Sequence, residues 1–156
     1  MRHLLLDLYC CNAACLTDER LLQHVLSDLP ERLGMQRTSP VFLEHIAQVS
    51  DPRDAGHSGL VITGTGHCSL HAWPEYGMVN LDLFSCEPFD QDEALRFVQA
   101  TFQPGDVERH LIERALRSPR LPSRFANQSD ERRPAFPHAL TGYRIRLAGS
   151  LLPPFL

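Results

Sequence analysis

Reactive side chains are concentrated in one stretch, Gly56-His57-Ser58-Gly59-Leu60-Val61-Ile62-Thr63-Gly64-Thr65-Gly66-His67-Cys68-Ser69-Leu70-His71-Ala72-Trp73-Pro74-Glu75-Tyr76-Gly77. It holds the only Trp and three of the eight His of the chain. Imidazoles change charge near neutral pH, and glycines let backbone and ligand approach closely. Three chemistries are open to such a set. His67-x3-His71 with Cys68 has the residue types of a zinc site. However, Leu70 to Pro74 reads as a strand, where four residues span about 13 Å. Two ligands of one tetrahedral ion lie within about 4 Å of each other, given bonds of ~2 Å. Without a bend, or help from Cys10, Cys11 and Cys15, no metal is assigned. Gly64-x-Gly66 is too short for a dinucleotide fingerprint and opens no helix. Ser58, Ser69 and His71 are close in sequence, but no nucleophile-elbow pattern frames them.

Composition narrows the field further. All 15 basic residues are Arg, so a Lys Schiff base, and with it a covalent pyridoxal phosphate site, is impossible in this chain. Residues 1–114 hold 8 Arg against 17 acids, whereas 115–156 hold 7 Arg against 2. An acidic body disfavours a nucleic-acid backbone and suits a cationic small molecule. No apolar run reaches ~18 residues, and the first ten residues lack a signal-peptide pattern, so a cytoplasmic protein with no membrane segment is expected. Five Cys, odd in number, fit reduced thiols in that compartment.

The elements that must position the stretch are legible from periodicity. Arg2 to Tyr9 alternates, with Leu4, Leu6 and Leu8 on one face and His3, Leu5, Asp7 and Tyr9 on the other, as in a strand. Cys10-Cys11-Asn12 is expected to turn the chain. Thr17 is the expected N-cap of a helix whose buried stripe is Leu21, Leu22, Val25, Leu26 and Leu29. Pro30 should end or kink it, with Gly34 as a left-handed cap. Residues 37–49 read as an edge strand and Ser50 to Gly56 as a polar loop. Leu60 to Thr63 and Cys68 to Trp73 are expected strands around Gly64-Thr65-Gly66. Met78 to Cys86 alternates again. Asp90 should cap a second helix, with Glu93 completing a capping-box-like pair. Pro104-Gly105 stops that helix, and Val107 to Arg114 forms the next strand. The pattern predicts an α+β sandwich, an antiparallel sheet with helices on one face, over residues 1–114. Residues 115–156 read as a Pro/Arg-rich C-terminal extension, loosely structured except for a strand-like 140–147.

His67-Cys68-Ser69-Leu70-His71-Ala72-Trp73-Pro74-Glu75-Tyr76-Gly77, followed by Leu81-Asp82-Leu83-Phe84-Ser85-Cys86, resembles the signature of the bacterial pyruvoyl-dependent S-adenosylmethionine decarboxylases. That signature runs approximately Glu-Ser-His-(Ile/Leu)-(Ser/Thr)-Ile-His-Thr-Trp-Pro-Glu-Tyr-Gly, then Asp-(Ile/Leu)-Phe-Thr-Cys. Ser58-Gly59 matches the Ser-Gly upstream, and Arg2-His3-Leu4 resembles the opening strand. The register holds without a gap from Gly56 to Cys86, and more loosely over residues 2–114. The tail has no evident counterpart.

The resemblance implies the fold named above, S-adenosylmethionine or a related sulfonium metabolite as ligand, and dimers joined through the site region. It implies His71, Cys86 and Ser58 as catalytic residues for proton transfer and processing. Glu75 would hold ribose hydroxyls, and Gly66, His67 and Trp73 would line the substrate site. In that family an internal Ser cleaves the chain and becomes the pyruvoyl group, which forms a Schiff base with the substrate amine and serves as electron sink. Here Thr65-Gly66 replaces the Glu-Ser pair, so no pyruvoyl cofactor is expected. An upstream Phe-His-Arg-Phe-like segment is poorly matched by Phe42-Leu43-Glu44-His45. Three functions are therefore expected to compete. One is a lyase acting at the sulfonium carbon and releasing methylthioadenosine. Another is a pseudoenzyme in spermidine and polyamine metabolism that pairs with an active paralogue or senses the metabolite. The last is a true decarboxylase processed at a displaced Cys68 or Ser69.

Overall fold

The computed structural model describes residues 1–47, 49–114 and 141–146, the last of these as backbone only. In chain order the elements are β1 (Arg2–Tyr9), α1 (Ala13–Leu16), α2 (Glu19–Arg32), β2 (Phe42–Ile46), β3 (Gly56–Thr63), β4 (Gly66–Trp73), β5 (Met78–Ser85), α3 (Gln91–Phe102), β6 (Asp106–Glu113) and β7 (Thr141–Arg146). Short 3-10 turns at Pro52–Asp54 and Pro74–Tyr76 precede β3 and β5. The strands form one sheet in the order β2-β3-β4-β5-β1-β6-β7, and every neighbouring pair is antiparallel.

Two-residue alternation sorts each strand into a core face and an open face. Leu4, Leu6 and Leu8 of β1 stand opposite Leu83, Leu81 and Val79 of β5, and all six are buried. Cys68, Leu70 and Ala72 of β4 and Val61 of β3 continue that face. Leu22, Val25, Leu26 and Leu29 of α2, with Ala94, Val98 and Phe102 of α3, belong to the same buried cluster. The helices thus cover one face, as an α+β sandwich requires.

Several local expectations change. Thr17 does not cap the long helix; Asp18 does, its carboxylate accepting from the Arg20 and Leu21 N–H groups. Thr17 instead closes α1, a single turn capped by Asn12 that periodicity did not disclose because it spans only four residues. Pro30 does not end α2, since the helix runs to Arg32. Leu21 is half-buried and lies at the margin of the stripe. Gly34 does adopt positive φ (75°). The edge strand shrinks from 37–49 to Phe42–Ile46, with Arg37 making a lone bridge to Thr63. In contrast, β3 is longer than expected, because residues 57–59 pair with both β2 and β4 and Gly56 pairs with Ile46 of β2. Asp90 caps α3 as expected, but the Glu93 carboxylate binds Arg96. Within the C-terminal extension, 141–146 adds β7 to the β6 edge; the expected loose structure of the rest lies outside the described residues. Among the described residues no helix is long and apolar enough to cross a membrane.

Two outcomes follow from the packing. Leu26→Ala, at a fully buried position, should cost about 2–5 kcal/mol in urea unfolding, because the cavity collapses only partly. Burial pushes the Cys11 thiol up to about 12 and the Cys68 thiol higher, so neither forms thiolate at pH 8. A thiol reagent at that pH should label exposed Cys10 first and leave Cys11 and Cys68 unmodified in the folded chain.

Candidate active site

The open face of β3, β4, β5 and β1 collects the polar and aromatic side chains that alternate with the core leucines. Ser58 and His71 are direct cross-strand partners, and Ser58 Oγ lies 2.9 Å from His71 Nδ1. Trp73, two residues along β4, stacks beside the His71 ring with centroids 6.4 Å apart and planes at 20°. Its indole N–H donates to Asn80 Oδ1 at 3.0 Å, and Asn80 Nδ2 donates to Asp7 Oδ1 at 2.7 Å. Asn80 lies opposite both His71 and Asp7 in the ladder, so strand register alone assembles this relay. The relay orients Trp73 beside the His71 ring.

A second group forms at the far end of β4. His67 stacks on Phe84 at 5.6 Å, His3 meets both rings edge-on, and the Arg114 guanidinium lies over Phe84 at 5.2 Å. Burial lowers the His3 pKa, ahead of the opposing pull of Asp82, so this imidazole is neutral at pH 7. Ser69 Oγ donates to Asp82 at 3.4 Å.

The β3–β4 hairpin turns at Gly64-Thr65 and is tied to the end of β5. The Cys86 N–H donates to the Thr65 carbonyl at 2.8 Å, and Ser85 Oγ donates to Thr65 Oγ1 at 3.3 Å. Cys86 therefore stands beside the Thr65-Gly66 end of the hairpin. Gly66 is pressed against β5: a Cβ built there would collide with the Phe84 carbonyl. Cys68 points into the core and is fully buried. Glu75 is exposed on the 3-10 turn Pro74–Tyr76. Gly77 closes that turn at φ 58°, which a side chain would resist, and its carbonyl accepts from the Cys11 N–H at 2.8 Å.

Beside Trp73 lies a cavity of about 420 Å³, walled by Ile46, Val49, Asp54, Ser58, Tyr76 and Met78. The Tyr76 hydroxyl donates to Asp54 Oδ1 at 2.9 Å, joining the two 3-10 turns. That bond holds the Tyr76 phenol above its ordinary range, so Tyr76 remains protonated.

Of the expected residues, the fold joins Ser58, His71 and Trp73, brings Cys86 to the hairpin at Gly66, and sets His67 in a separate aromatic cluster. Asn80, Asp7, Asp54 and Tyr76 were not singled out from sequence. Alternation already placed Asp7 and Asn80 on polar faces, but only register shows that they meet. Asp54 and Tyr76 sit in turns, where no periodicity signals a partner. His67 and His71 converge on no third metal-ligand type; among the described residues, the ligand atoms that do gather within 4.8 Å belong to Asp7, Glu108 and His110.

Comparison with known proteins follows the same boundaries. A sequence profile described as S-adenosylmethionine decarboxylase matches residues 2–115. The S-adenosylmethionine decarboxylase proenzyme of Archaeoglobus fulgidus is 25% identical over 114 residues, covering 72% of this chain and 96% of that one. The protein of the same name from Syntrophomonas wolfei is 29% identical over 119 residues, covering 74% and 86%. That from Thermoplasma volcanium is 38% identical over 63 residues, covering 40% and 48%. The crystal structure of the adenosylmethionine decarboxylase from Aquifex aeolicus superposes with a TM-score of 0.60 at 22% identity, covering 72% of this chain and 88% of that one, which shows a shared fold. With the profile spanning β1 to β6, the chain belongs to the S-adenosylmethionine decarboxylase family.

Proposed function

We propose that this chain acts on S-adenosylmethionine at its open face, and that it does so without a pyruvoyl group at position 66. The observation that supports the second part is the combination of an intact Ser58–His71 pair with a glycine in the hairpin beside Cys86. Conversion of a residue to pyruvoyl starts with a hydroxyl attacking the preceding carbonyl, and Gly66 has none. The backbone of β5 also occupies the space a side chain would need. The residues at this position do not fit the group.

Without an electron sink, chemistry shifts to the sulfonium carbon, which is already activated. Attack by the substrate's own carboxylate on the γ-carbon forms a C–O bond and breaks the C–S bond. The electron pair leaves on sulfur, giving a lactone and methylthioadenosine. The protein would contribute orientation and a fixed electrostatic setting; this step moves no proton, and His71 and Cys86 would serve as acid and base where water attacks instead. A role limited to binding, as partner of an active paralogue or as a metabolite sensor, needs the same site and differs in yielding no product. Exposed Phe42, Leu60 and Ile62, clustered on the open side of β2 and β3, support a second copy or a paralogue covering that face.

The relatives are S-adenosylmethionine decarboxylase proenzymes, which favours a second reading, decarboxylation after self-cleavage at a displaced residue. Ser69 is the better placed of the two displaced residues, since it lies on the open face near Asp82 whereas Cys68 is sealed in the core.

The intact mass of the purified protein decides between these. One species at 17.6 kDa is expected; two fragments, one beginning with pyruvate, would establish the second reading. Gly66→Ser should also remain uncleaved and should lose about 1–3 kcal/mol of stability, because the new side chain is forced against β5. Added S-adenosylmethionine should raise the melting temperature, and His71→Ala should reduce that shift. Prolonged incubation should release methylthioadenosine; intact recovery of the ligand points to the binding role, and evolved carbon dioxide to decarboxylation.

A further inference from the structure

We infer that the cavity beside Trp73 selects a cationic ligand without a carboxylate, so that the decarboxylated form of S-adenosylmethionine binds in preference to S-adenosylmethionine itself. This rests on the reading that the open face receives that nucleoside, and of the roles proposed above it favours the one limited to binding, because cyclisation needs the carboxylate in the cavity.

The volume, about 420 Å³, is within the range of small-molecule sites. Ile46, Val49 and Met78 supply apolar wall suited to a methylene chain and an S-methyl group. The rings of Trp73 and Tyr76 offer faces that attract a sulfonium or an ammonium. The charge inventory decides the rest. Asp54 is the one acidic or basic side chain lining the cavity among the described residues, and the sequence contains no Lys to reach in. One Asp54 oxygen accepts from Tyr76; the other is available to an ammonium.

Arg53, next to Asp54 in the chain, is already engaged by Asp51 through contacts of 2.6 to 3.1 Å. Asp51, Arg53 and Asp54 together carry one net negative charge. A ligand that kept its carboxylate would bring an anion beside Asp54 with no cation among the described lining residues to pair it, which is costly away from water. Loss of carbon dioxide removes that repulsion and leaves two positive charges, on sulfur and nitrogen, facing the aromatic rings and Asp54.

Isothermal titration of the full 156-residue chain tests this with three ligands: S-adenosylmethionine, its decarboxylated form, and neutral methylthioadenosine. The decarboxylated form is expected to bind at least about tenfold tighter than S-adenosylmethionine. Asp54→Asn, which keeps an acceptor for Tyr76, should remove most of that preference and leave methylthioadenosine affinity within about twofold. Equal or tighter binding of S-adenosylmethionine overturns the inference while leaving the family reading intact, as does an unchanged ratio in a folded Asp54→Asn variant. Binding of none of the three overturns the reading of the site and the inference with it.

Discussion

Burial of Leu4, Leu6 and Leu8 against α2 and α3 commits β1 to one orientation, and every other feature of the molecule follows from that commitment. A strand presents successive side chains to opposite faces, so a buried leucine row obliges His3, Asp7 and Tyr9 to the other side. Antiparallel pairing then copies the division to β5, β4 and β3. A slip of one residue would move the whole polar set into the core, which makes the register strongly specified. The site is the unburied half of a packing problem.

That division explains why the Ser58–His71 pair and the Trp73–Asn80–Asp7 relay need no loops to build them. Each hydrogen bond joins residues that face each other across neighbouring strands, or nearly so. Rigid sheet backbone holds them, and their mutual bonds fix the rings and amides. The adaptable parts lie at the ends of the strands. There the two 3-10 turns, joined by Tyr76 and Asp54, shape the cavity, and the hairpin at Gly64-Thr65 brings position 66 against β5.

Membership of the decarboxylase family and the character of position 66 pull in different directions. The family relation covers β1 to β6 and accounts for the fold. Decarboxylation needs a carbonyl that can hold an electron pair, and no side chain of the standard set supplies one. A glycine between β4 and the Phe84 carbonyl leaves neither the hydroxyl nor the space.

From sequence alone came the strands, the two main helices, the face each strand buries, and the family to which the motif around His71 belongs. Periodicity and motif spacing are local properties, and a chain displays them before it folds. The cap at Asp18, the extra turn at α1 and the extension of α2 through Pro30 escaped because neighbouring residues of similar propensity compete at helix ends. The meeting of Asn80 with Asp7, the Tyr76–Asp54 bond, the charge of the cavity and the collision at Gly66 depended on tertiary structure. Each joins residues remote in sequence or separated by a turn, and only the register of the assembled sheet brings them within hydrogen-bonding or van der Waals distance.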